Sequence, residues 1–89
     1  MQRRGVIYTD RLGGRMVYKV NVVIEKDEFG YFTYCPELSG CHTQGDSIEE
    51  VLRNIKEAVG LYLETLSKKD ARKMLSNEIL TTSMEVSIV

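Results

Sequence analysis

Ile48, Val51, Leu52, Ile55, Val59, Tyr62 and Leu66 recur at steps of three and four residues, which winds them into one stripe along a helix. Ahead of them, Ser47-Ile-Glu-Glu50 reads as a capping box. Its serine hydroxyl and glutamate carboxylate can accept the orphan N–H groups of a first turn. The spacing predicts an amphipathic helix over 48–67. Its stripe has to be buried, and in a chain of 89 residues a sheet is the surface that can bury it. Leu61 falls off the stripe, a single outward leucine that needs no special role.

The strands for that sheet lie upstream. Tyr18, Val20, Val22 and Ile24 alternate with Lys19, Asn21, Val23 and Glu25, the period of a strand with one buried face. A turn at 26–30 ending in Gly30, then Tyr31 to Cys35, completes an antiparallel hairpin over 17–35. Pro36 ends it. Gly5–Thr9 and Arg15–Tyr18 flank a Gly13-Gly14 turn, so a further N-terminal strand is expected to pair with this hairpin. Residues 36–47 read as a loop or a very short extended segment, Asp70–Leu75 as a short second helix. Met84, Val86 and Ile88 alternate with Glu85, Ser87 and Val89, which predicts a closing strand.

One domain fills the chain: an N-terminal ribbon over 1–16, a core over 17–66, and a short helix with closing strand over 67–89. The predicted class is α+β, an antiparallel sheet of three to four strands with one long helix on one face, in β-β-β-α-β order. A domain this small has marginal stability, so an association partner, self or other, is expected.

Charge narrows the function. Twelve basic and thirteen acidic residues give a net charge of -1, which argues against a histone-like or general polyphosphate binder. The distribution is uneven: residues 1–24 carry +4 and residues 25–50 carry -6. An acidic block of this kind is ordinarily a solvated face; as one contiguous surface it would attract a basic protein and repel nucleic acid. The longest aliphatic run, Val22-Val23-Ile24, is far too short to span a membrane. No secretory leader is visible, and two cysteines make no disulfide framework. A cytoplasmic setting is expected.

No catalytic constellation emerges. Cys35, Cys41 and His42 are three soft ligands without the paired spacing of a zinc site. The adjacent Cys41 and His42 would point apart rather than form a nucleophile–base pair. Glu25, Asp27 and Glu28 crowd one turn, and Glu49 and Glu50 open the helix. Turn solubility and helix N-terminal charge account for all five without a metal. Gly40 and Gly45 have the spacing that opens a phosphate loop, but no Lys-Ser/Thr follows. No metal, no cofactor and no enzymatic role is expected.

Residues 18–64 nevertheless resemble one family closely, the HicB antitoxins. The resemblance rests on Gly30-Tyr31, then Pro36, Leu38, Gly40 and Cys41, then Thr43, Gly45, Asp46 and Ser47, then Glu49, Glu50, Asn54, Ile55, Glu57 and Ala58. It implies a partial RNase-H-like core and an antitoxin of a type II toxin–antitoxin system. Such a protein binds a small basic HicA-like toxin, an mRNA-cleaving ribonuclease, and neutralises it by covering its RNA face. It also implies a homo-oligomer, dimer or tetramer. Many relatives add a C-terminal DNA-binding domain, for which residues 67–89 are too short.

On this reading Glu25, Asp27, Glu28, Glu37 and Asp46 form the toxin-facing surface, while Gly30, Pro36, Gly40 and Gly45 shape turns. The alternative is a small oligomeric nucleic-acid-binding regulator that uses the basic ribbon, with Arg3, Arg4, Arg11 and Arg15 as its contacts. Charges on an edge strand also have a plainer use in preventing edge-to-edge aggregation. A thiol enzyme acting through Cys41 comes third.

Overall fold

Alternation and a turn glycine make the central hairpin. In a computed structural model that describes residues 6–9 and 16–89, β1 (Val6–Thr9) pairs antiparallel with β2 (Met16–Tyr18). β3 (Val23–Asp27) pairs with β4 (Gly30–Tyr34), and β4 with β5 (His42–Gly45), both antiparallel. The helices α1 (Ile48–Glu64) and α2 (Lys68–Met74) follow. The class is α+β: a three-stranded sheet in the order β3-β4-β5, a separate two-stranded ribbon, and two helices.

Three expectations change. The strand expected from Tyr18 to Glu25 is interrupted, because residues 19–22 belong to no strand. There the Asn21 N–H donates to the Glu37 carboxylate at 2.8 Å instead of to a neighbouring strand. The N-terminal strand consequently pairs within its own ribbon, not with the β3–β4 hairpin. The expected closing strand is also absent: residues 77–89 lie in no helix or strand. Met84, Val86 and Ile88 are 77%, 73% and 92% exposed, so their alternation is matched by no strand among the described residues. Strand order is therefore not β-β-β-α-β, and the short extended segment inside 36–47 is a full strand, β5.

Gly30 closes the hairpin with φ +134, opposite Asp27. A Cβ there would sit 2.9 Å from the Gly45 carbonyl oxygen, so strand spacing as well as dihedral requires glycine. After β4, residues 35–41 form a closed loop: Cys35 N–H donates to the Cys41 carbonyl, Leu38 N–H to Cys35, and Cys41 N–H to Leu38, at 3.0–3.1 Å. Gly40 carries φ +79 within it. The loop thus satisfies its own buried backbone and drives Leu38 fully into the core.

Ser47 caps α1 by accepting from Glu50 N–H at 3.1 Å. Glu50 in turn accepts from Asp46 N–H at 3.1 Å, one residue before the cap. The helix ends at Glu64, earlier than the periodicity suggests, because Thr65 turns back on Tyr62: its hydroxyl donates to the Tyr62 carbonyl at 2.6 Å. Ser67 then caps α2 through Asp70 N–H at 3.0 Å. Val51, Ile55 and Val59 are the buried stripe of α1, whereas Ile48 and Leu52 are about half exposed. Cys35, Leu38, Cys41, Ile55, Val59 and Leu75 form one core cluster, with Tyr18, Val20, Val22 and Tyr62 packed against it. The second helix supplies its lid.

Candidate functional site

The sheet has one covered face and one open face, and the register decides which residues are on each. Thr33 is fully buried, its hydroxyl donating to the Val23 carbonyl at 2.8 Å. Gly45 lies against Glu50 and Val51 of α1. Thr33 and Thr43 are paired, as are Tyr31 and Gly45, so these four face the helix. Lys26, opposite Tyr31, places its ammonium 5.7 Å from that ring's centroid on the same side.

The alternate positions face outward. Val23 is paired with Tyr34 and Glu25 with Phe32, which continue to His42 and Gln44 on β5. Phe32 lies 5.9 Å from Tyr34 and 5.5 Å from His42, ring to ring. Glu25, Asp27, Phe32, His42, Gln44 and Asp46 are exposed. A hollow at the hairpin end of the sheet is lined by Glu25, Asp27, Phe32, Gln44 and Asp46, with Lys26 and Tyr31 from the other face at its edge. Three of the five acidic residues singled out in the sequence thus line one hollow, Glu25 and Asp27 from β3 and Asp46 from the corner just after β5. Glu28 stands at the hairpin tip beside Phe29, which is 85% exposed. Asp27 holds that tip by accepting Phe29 N–H at 2.8 Å.

Glu37 does not share this surface. It is 8% exposed and committed to Asn21 N–H, a structural ligand of the backbone. Arg3, Arg4, Arg11 and Arg15 lie outside the described residues.

Sequence reasoning missed Phe32, Tyr34 and His42. Tyr31-Phe32-Thr33-Tyr34 has an aromatic on both faces, so period two alone does not say which ring is covered; the burial of Thr33 does.

The thiols are enclosed. Both cysteines are free and buried. Desolvation pushes each thiol above its ordinary value; at Cys35 that outweighs the backbone N–H groups of Glu37 and Leu38, which favour the thiolate. Cys41 is buried while the neighbouring His42 is on the open face, so the two do not form a nucleophile–base pair. A surface of carboxylates and neighbouring tilted rings is suited to binding a partner.

Relatives agree with a family of small domains. A UPF0150 protein of Helicobacter pylori is 46% identical over 68 residues, 76% of this chain and 94% of that protein. One from Archaeoglobus fulgidus is 53% identical over 47 residues, 52% of this chain and 68% of its own. A Haemophilus phage HP1 protein of 14.9 kDa is 34% identical over 58 residues, 65% of this chain and 44% of its own. No solved structure matches the chain significantly. Residues 18–86 match the HicB_like antitoxin of bacterial toxin-antitoxin systems, a span that includes the whole three-stranded sheet and both helices. The chain belongs to the HicB-like antitoxin family.

Proposed function

We propose that this chain is the antitoxin of a type II toxin–antitoxin pair, and that its open sheet face binds a HicA-like ribonuclease and blocks the toxin's RNA surface. The observation that carries this is the convergence of Glu25, Asp27 and Asp46 with the exposed rings of Phe32 and His42. An RNA-cleaving enzyme presents a cationic face to its substrate. An acidic surface with aromatic anchors meets that face with complementary charge and displaces RNA by occupying its place.

The neutralisation is steric and electrostatic. Glu28 and Phe29 at the hairpin tip extend the same surface. Because the partner cuts mRNA, both work in the cytoplasm.

The test is to co-express this chain with the small basic protein encoded beside it, purify the pair, and assay RNA cleavage with and without the antitoxin. A stable complex with cleavage suppressed is expected. An active, folded neighbour that forms no complex would overturn the reading. Retention of the chain on DNA, with a salt slope reduced by truncation at Arg3 and Arg4, would then favour the nucleic-acid regulator.

A further inference from the structure

A groove beside the sheet has no occupant among the described residues. The helix α1 packs on β4 and β5, and β3 is an edge strand. Beside that edge, Val20 and Val22 on one wall and Ile55, Val59 and Leu63 on the other enclose a groove of about 870 Å³. Residues 19–22 belong to no strand, and of their backbone the Asn21 N–H is held by Glu37. A fourth strand with an apolar face fits the position by shape and chemistry alike.

The same chain carries such a strand and does not use it. Met84, Val86 and Ile88 alternate with Glu85 and Ser87, and residues 80–89 are all exposed. An isolated alternating segment that presents three apolar side chains to water is stable only against a partner surface. The radius of gyration is 15.5 Å, against about 12 Å for a compact chain of this length. Residues 77–89 can reach about 40 Å when extended. A subunit with an open groove and an outstretched arm that matches it is half of an exchanged pair.

We infer that two copies of this chain exchange their C-terminal segments, each laying residues 84–88 into the groove between Val20–Val22 and α1 of the other. The occupant is a second copy because the segment with the matching pattern belongs to this chain and stands clear of its own groove. The inference is independent of the antitoxin reading.

Sedimentation and cross-linking of the full chain test it. The full chain should sediment as a dimer at micromolar concentration. Val86→Asp in the arm and Val20→Asp in the groove wall should each halve the mass, with helical circular dichroism retained in Val86→Asp because that residue is 73% exposed in its own subunit. Chains carrying Val22→Cys, refolded together with chains carrying Val86→Cys and oxidised, should give a covalent dimer that is absent from the unsubstituted chain. A monomeric full chain overturns the inference, as does a dimer that survives Val86→Asp. So does a double variant, Val22→Cys with Val86→Cys, whose disulfide closes within one chain without doubling the mass.

Discussion

Glu37 accepts the backbone N–H of Asn21 across sixteen residues of sequence, at 2.8 Å, and this bond separates the ribbon from the sheet. Without it the run from Tyr18 to Glu25 has the composition of one continuous strand. With it, the backbone turns aside at Asn21, and the ladder to β4 starts at Val23.

The first prediction follows from that bond. Glu37→Ala leaves a half-buried N–H without its acceptor and should lower stability by about 1–3 kcal/mol. Glu37→Gln keeps an acceptor oxygen and should cost about 1 kcal/mol or less. Urea denaturation of the three proteins side by side measures the difference; equal midpoints would show that water replaces the carboxylate at Asn21.

Glycine at the hairpin closure and glycine in the closed loop should respond unequally to a methyl group. Gly30→Ala meets both a φ of +134 and a carbonyl oxygen at 2.9 Å, whereas Gly40→Ala meets a φ of +79 and nothing within 4 Å. Strain of about 1 kcal/mol or a little more is expected at Gly40. A larger loss is expected at Gly30, where the strands must also part. Denaturation midpoints that reverse this order would mean that β4 and β5 separate at little cost.

The two cysteines should be chemically quiet. Burial raises both thiols above the ordinary value of 9.0, so little thiolate exists at neutral pH. Iodoacetamide should modify the native protein no faster than it opens, and quickly in urea. The folded state holds these protons more tightly than the unfolded one. Their contribution to stability is therefore full below pH 9 and falls as pH rises beyond it. Rapid alkylation of the native chain at pH 7 would contradict the enclosed geometry.

Charge on the open face should control how fast the toxin arrives. Combining Glu25→Lys, Asp27→Lys and Asp46→Lys should slow association with a basic toxin about tenfold or more at low salt, with the gap narrowing as salt rises. Phe32→Ala and Tyr34→Ala should instead speed dissociation. Stopped-flow binding separates the two effects; an unchanged association rate in the triple variant would remove the electrostatic part of the proposal.

The sequence makes some of this legible and conceals the rest for physical reasons. A stripe with a capping serine announces α1, and the hairpin around Gly30 is equally plain, because both are local patterns. Cys35-to-Cys41 pairing is nonlocal and depends on loop closure, so β5 is concealed within a glycine-rich stretch. Glu37 looks like any other acid in the block, and only its distance from Asn21 reveals it as a backbone ligand. At Met84–Ile88 the alternation is real but these residues lie exposed and in no strand, and a period-two signal carries no information about which surface supplies the other side.

The Glu50 carboxylate, by holding the amide of Asp46 at the head of α1, has a consequence for recognition. The corner that Asp46 occupies is fixed when the helix forms, not when a partner arrives. Ordering entropy that a loose loop would surrender on binding has already been spent in folding. In the proposed toxin complex, the affinity of this corner is tied to the integrity of one helical turn. A change that frays the start of α1, even far from any contact, would weaken binding by setting Asp46 free.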